Sequence, residues 1–249
     1  GVLAEQRALG PAQHFDLFDV KGVEQLGLDA GHHEIVHQHR DRWLKIDDDR
    51  VLPHAAHGEG GGDRIAFGHR EARDVEAAAL RLMQLAPGER IGVLGRSLGA
   101  AAATLAATKS RYSAVVLESL YTPIDDAVAD RLRLHLGTAG GWLSPLLLWQ
   151  VTPWLGIRPD QLRPVDRVGE FASPVLVVHG SEDRHTTLAE ARRLFEAIRA
   201  PKSMFVIDGA AHVDLHAHAR PQYEERVGAF FVAHLRKLPA ASTLVSRLE

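Results

Sequence analysis

The chain of 249 residues, 45% apolar and 24% charged, is long enough for one α/β domain with a large core and short for two. Its formal net charge of -3 gives no basic footprint for nucleic acid, and no run is apolar and long enough to span a bilayer, so a small molecule is the expected partner. The absence of cysteine excludes disulfides, thiol catalysis and cysteine metal sites without identifying a compartment. No positively charged and apolar leader opens at Gly1, and a cytoplasmic setting is the expectation. Composition assigns no oligomeric state.

Residues 1–50 are atypical, with His14, His32, His33, His37 and His39 among few apolar runs. A diverged segment or a disturbed reading frame would produce that composition. From about Val51 short apolar runs alternate with helical patterns, the rhythm of a parallel sheet covered on both faces. Residues 73–85 place Val75, Ala78, Ala79, Leu82 and Leu85 on one helical face, ended by Pro87-Gly88. Ile91-Gly92-Val93-Leu94 is a buried strand, residues 100–107 a helix of small residues, and Ala114-Val115-Val116-Leu117 a second buried strand. Residues 121–172 break the rhythm: Gly137, Gly140, Pro145, Pro153, Pro159 and Pro164 interrupt an apolar stretch. Short helices capping the sheet edge are expected there. Trp142, Trp149 and Trp154 would form an acyl-binding wall, or else pack on the core in the ordinary way. The sheet resumes at residues 174–180, followed by a helix over 188–200, a strand over 203–207 and a closing helix over 222–237. The tail after Pro239 is expected to fray.

The most informative pentapeptide is Gly95-Arg96-Ser97-Leu98-Gly99, the G-x-S-x-G pattern. Alone it is a weak signal, and its place between a buried strand and a helix strengthens it. Small residues at both ends permit a sharp strand-to-helix turn that holds Ser97 strained and exposed, with the Leu98 N–H turned toward a reacting carbonyl. A tight helix start with Ser97 as a simple cap is the plainer alternative. A serine hydroxyl is a poor nucleophile and needs a neutral imidazole and a carboxylate that fixes its tautomer. Asp183, in His179-Gly180-Ser181-Glu182-Asp183-Arg184, and His212, in Gly209-Ala210-Ala211-His212, both follow strands, where ligands and catalytic groups gather in open α/β sheets. Glu182 is a rival acid, and His216 and His218 are rival bases. Arg96 and the three tryptophans are candidate substrate-binding residues.

Ser97, Asp183 and His212 with their flanks resemble the α/β-hydrolase superfamily, nearest to its small serine esterase and serine aminopeptidase-like members, over roughly residues 51–238. Within that span Val51-Leu52-Pro53 with His57-Gly58-Glu59-Gly60-Gly61-Gly62-Asp63 is similar to a strand-and-loop segment of the family, with Gly60 where serine is usual. Gly68 to Val75 is similar to the lead-in to the helix before the elbow. The resemblance implies a mostly parallel sheet with helices on both faces, a small helical cap over residues 121–172, and one domain. It also implies a serine hydrolase without metal or organic cofactor, most simply a carboxylic ester hydrolase acting on short or medium acyl chains. A serine peptidase or amidase of the same fold, and a binding protein that keeps the fold without turnover, are the neighbouring readings. Family members complete the oxyanion hole with an N–H after a His-Gly loop, which residues 1–50 lack. The best substitute is residues 15–20 as the strand and Lys21-Gly22-Val23 as the loop, with the Val23 N–H as second donor.

A different chemistry is also written in the chain. His33-Glu34-Ile35-Val36-His37 matches H-E-x-x-H, which on a helix sets two imidazoles toward Zn²⁺ and a glutamate beside its water. Gly31 close before it, no evident third ligand and local histidine enrichment favour a surface segment instead.

Overall fold

The computed structural model describes residues 65–106 and 112–236, together with the backbone of three earlier strands, β1 (Asp16–Asp19), β2 (Glu24–Gln25) and β3 (Arg42–Ile46). The expectations placed on Val23, on residues 51–63, on His33, Glu34 and His37, and on the tail after Pro239 lie outside the described residues.

The remaining elements are α1 (Glu71–Leu85), β4 (Ile91–Arg96), α2 (Leu98–Leu105), β5 (Ala114–Glu118), α3 (Ile124–Leu136), α4 (Ser144–Leu155), α5 (Pro164–Arg167), β6 (Val175–Gly180), α6 (Leu188–Ala197), β7 (Lys202–Ile207), α7 (Leu215–His218) and α8 (Arg220–Leu235). Among the described residues the strands form one sheet in the order β2-β1-β3-β4-β5-β6-β7. β1 is antiparallel to β2 and β3, and every pair from β3 to β7 is parallel. The fold is the α/β-hydrolase type that the sequence resembles.

Burial explains why the central strands read as continuous apolar runs. β5 and β6 are buried along their whole length and β4 to its last residue, as parallel strands covered on both faces must be. Alternate side chains feed two cores. Val93, Val115 and Val177 pack with Val75 and Leu82 of α1 and the alanines of α2, while Leu94, Val116 and Val178 pack with Val227, Phe231 and Leu235 of α8. β7, at the sheet edge, is only partly covered.

Beyond shifts of one or two residues at several element ends, the structure departs from the sequence reading in three places. The strand beside β4 is β3, at Arg42–Ile46, where Arg42 and Lys45 interrupt the apolar run and conceal the pattern. α6 stops at Ala197 rather than near Ala200: Ile198 is already extended (φ -71°, ψ 128°), and Pro201 disfavours helical backbone in the residue before it. The short helix α7 was not expected. Its N-cap is Asp214, whose carboxylate accepts from the Ala217 N–H at 2.9 Å.

Candidate active site

Ser97 occupies the junction of β4 and α2 with φ 49° and ψ -110°, a backbone conformation that a side chain adopts only when its surroundings impose it. Its N–H donates to the Glu118 carbonyl of β5 at 2.8 Å and its carbonyl accepts from Ala101 at 3.1 Å, which pins the turn from both sides. Gly95 is required by close approach: a Cβ there would stand 2.6 Å from the Gly99 carbonyl oxygen and 2.7 Å from Ala100 Cα. The Leu98 N–H opens α2, where backbone donors have no acceptor within the helix and the helix dipole favours negative charge.

Asp183 and His212 arrive on the loops that follow β6 and β7, and those loops are tied together. The Glu182 N–H donates to the Ala210 carbonyl at 2.9 Å, Ser181 N–H donates to the Ile207 carbonyl at 2.9 Å, and Gly209 N–H donates to Ser181 Oγ at 2.8 Å. Gly209 turns the chain with φ 69°. Gly180 lets the second loop cross directly over the end of β6, since a Cβ there would collide with the Ala210 carbonyl.

The loops bring three side chains into line. His212 Nδ1 lies 2.7 Å from Asp183 Oδ2, and His212 Nε2 lies 3.2 Å from Ser97 Oγ. Asp183 is buried. Its Oδ1 accepts from the N–H groups of His185 at 2.9 Å and Thr186 at 3.0 Å, and its Oδ2 also accepts from Thr186 Oγ at 3.0 Å. Burial pushes the Asp183 carboxyl up, but the hydrogen bond and charge of His212 and the Thr186 N–H outweigh it and hold the group down at about 2. An ionised carboxylate only accepts, so the proton on His212 sits on Nδ1 and leaves Nε2 to accept from the Ser97 hydroxyl.

The rivals sit elsewhere. Glu182 is exposed; His216 pairs with Glu224 at 3.0 Å and His218 is exposed on α7. Arg96 directs its guanidinium to Asp214, with Nη1 3.5 Å from Oδ2. Trp142, Trp149 and Trp154 are mostly exposed.

Two neighbours of the site were not singled out in the sequence. Thr186 closes a three-residue turn on Asp183, a signal legible as an Asp followed at i+3 by Thr. His185 sets its ring 5.3 Å from that of His212 at 41°; burial, then Arg131 of α3 and His212, hold its imidazole below the ordinary histidine range. No local pattern announces that contact.

Known proteins resemble the chain in sequence and in fold. A family model described as the prolyl oligopeptidase family matches residues 64–238. An uncharacterised Bacillus subtilis protein, YqkD, is 24% identical over 185 residues, 72% of this chain and 60% of that protein. Human α/β-hydrolase domain-containing protein 17B is 26% identical over 168 residues, covering 66% of this chain and 50% of the human one. The chain therefore spans between half and three fifths of the length of these two relatives. Among solved structures, the Pyrococcus furiosus esterase Pf2001 superposes with a TM-score of 0.56 at 24% identity, over 73% of this chain and 68% of that one. A Mycobacterium tuberculosis puromycin-hydrolyzing peptidase gives 0.55 at 19% identity, over 71% of this chain and 27% of the peptidase. The likeness to both is one of fold. With its family model matched from residue 64 to residue 238, the chain belongs to the prolyl oligopeptidase family, within the α/β-hydrolase superfamily.

Proposed function

We propose that the protein is a serine hydrolase that cleaves carboxylic esters of short or medium acyl chains, with Ser97 as nucleophile, His212 as base and Asp183 as the carboxylate that orients it. The observation that carries this reading is the unbroken line Ser97 Oγ, His212 Nε2, His212 Nδ1, Asp183 Oδ2 at 3.2 and 2.7 Å.

The chemistry follows from the proton positions. As Ser97 Oγ bonds to the ester carbonyl carbon, its proton passes to His212 Nε2, and the carbonyl π electrons move onto oxygen. The Leu98 N–H meets that oxyanion. A second donor is assigned to the Val23 N–H on sequence resemblance alone. Collapse of the tetrahedral species breaks the bond to the alkoxide, which leaves as an alcohol with the proton from His212. Water then gives a proton to His212 and its oxygen to the acyl carbon, and the acid departs as Ser97 recovers its proton. Asp183 stays ionised and stabilises the imidazolium throughout. Nothing in this sequence of steps calls for a metal or an organic cofactor.

A serine peptidase or amidase with the same residues is the second reading, favoured by the family description that matches residues 64–238. Ester cleavage asks less of the site, since an alkoxide leaves more readily than an amide nitrogen. One experiment tests both: fluorophosphonate labelling of wild type and Ser97→Ala, followed by turnover of p-nitrophenyl acyl esters and aminoacyl arylamides. Labelling confined to wild type, with ester turnover lost in the variant, is expected. Undiminished turnover by Ser97→Ala overturns the assignment, and inert wild type returns the chain to a binding role.

A further inference from the structure

His179, the penultimate residue of β6, is fully buried and exchanges no proton in the steps of ester cleavage. A polar ring is tolerated in such a place only where a hydrogen bond compensates its removal from water. The His179 Nε2 lies 2.8 Å from the Thr186 carbonyl oxygen. A carbonyl only accepts, so the proton sits on Nε2 and the ring is the donor. Nδ1 is then bare, and it is buried with no hydrogen-bond partner among the described residues. A second proton would enter there unpartnered. Burial holds the imidazole below the ordinary histidine range, against the opposing pull of the Asp183 charge and the Thr186 bond. His179 is therefore a neutral donor, and the charge of Asp183 remains for His212.

Thr186 connects that donor to the site. Its N–H and its Oγ each donate to an Asp183 carboxylate oxygen at 3.0 Å, while its carbonyl accepts from His179. The next residue, Thr187, caps α6 and closes on Glu190. The loop that carries Asp183 thus runs from β6 to the start of α6, and its two halves are held differently. The N–H groups of Ser181 and Glu182 tie the first half to the end of β7 and the loop after it. The bond from His179 crosses seven positions and ties the second half back to the strand it left.

We propose that His179 is a positioning residue for the triad: its Nε2–H holds Thr186, Thr186 holds the Asp183 carboxylate, and Asp183 orients the His212 imidazole that serves Ser97. The inference rests on the roles given to Ser97, Asp183 and His212 under the proposed function. His179 touches neither the nucleophile nor a substrate, so its loss acts on how well the triad is aligned rather than on how an ester binds.

Three variants of the full chain test it. His179→Leu fills the space without a donor, His179→Gln brings an amide N–H near the place of Nε2, and His179→Asn is one methylene too short to do so. With active sites counted by exhaustive fluorophosphonate labelling, kcat for a p-nitrophenyl ester should fall about tenfold in His179→Leu and His179→Asn, the rate equivalent of one hydrogen bond. KM should stay within about twofold of wild type, and His179→Gln should keep kcat within about threefold. The rate at which Ser97 takes the label should fall in step, since that reaction uses the triad without an ester. Loss of stability alone would instead lower the number of active sites at unchanged kcat. Equal kcat per site in wild type and His179→Leu overturns the proposal. So does His179→Gln that is no better than His179→Asn, in rate or in folding, which decides the matter even if His179→Leu does not fold. A wild type that takes no label defeats the hydrolase reading instead. The ring-nitrogen chemical shifts of His179 are then the separate readout: they should show the Nε2–H tautomer unchanged from about pH 5 to 8, and protonation within that range overturns the neutral donor.

Discussion

Arg96 Nη1 lies 3.5 Å from Asp214 Oδ2, so an ion pair joins the residue before Ser97 to the residue two beyond His212. The elbow and the histidine loop, which belong to different strands, are thereby coupled across the site. Arg96, expected from the sequence to bind substrate, would in this arrangement act as a positioning residue. Asp214→Asn keeps an N-cap for α7, since asparagine caps as well as aspartate, and removes only the charge. Turnover of an ester should fall by up to about fivefold with KM and Tm nearly unchanged, the scale of a partly exposed pair. Asp214→Ala should also cost about 1 kcal/mol of stability from the lost cap. Equal kcat in Asp214→Asn and wild type would show that the pair positions nothing.

Asp183 sets both the tautomer of His212 and part of the acid stability. In Asp183→Asn the amide can donate to Nδ1 and reverse the imidazole, so kcat should fall by about four orders of magnitude. The carboxyl is depressed in the folded protein, from 3.8 to about 2. Its contribution to stability is therefore fully present above pH 4 and is lost as pH falls from there through about 2. Urea unfolding of wild type at intervals across that window should show the loss, and Asp183→Asn should flatten that part of the curve.

Gly95 and Gly180 hold open two backbone crossings that bear on the site. Gly95→Ala drives a Cβ against Gly99 and Ala100 backbone, and should destabilise by about 1–3 kcal/mol, because neither neighbour is a side chain that can swing away. Gly180→Ala meets the Ala210 carbonyl, two residues before His212. There kcat should fall further than KM rises, since the loop must shift to admit the methyl. Wild-type kcat in a folded Gly180→Ala protein would refute the tight crossing.

Glu71 is fully buried and its carboxylate accepts from the Ala66 N–H at 2.7 Å and the Gly68 N–H at 3.0 Å. These donors flank Phe67, whose φ of 52° is held in the left-handed region. Glu71→Ala leaves two buried N–H groups unpaired and should cost about 2–5 kcal/mol, read as a Tm lowered by several degrees. The carboxylate does not touch Ser97, Asp183 or His212, so active-site titration of the folded fraction should be unaffected.

Much of this was legible one residue at a time. The apolar runs at Ile91–Arg96, Ala114–Glu118 and Val175–Gly180 announce buried parallel strands because both faces are covered and no polar alternation survives. Gly95, Ser97 and Gly99 announce the elbow, because only small residues fit a helix so close to its strand. Asp183 and His212 stand just past strand ends, where an open sheet exposes its reactive groups.

What the chain order leaves open is which of these groups touch. Ser97 and His212 are 115 positions apart and His212 and Asp183 29, and a local pattern holds no record of a partner at such distance. Tertiary packing buried Asp183, the acid the sequence favoured, exposed the adjacent Glu182, and turned Arg96 to Asp214. It also laid the ring of His185 near His212 and, among the described residues, left Trp142, Trp149 and Trp154 mostly exposed. Periodicity determines which face of an element is apolar; only the assembled sheet determines what, if anything, covers that face.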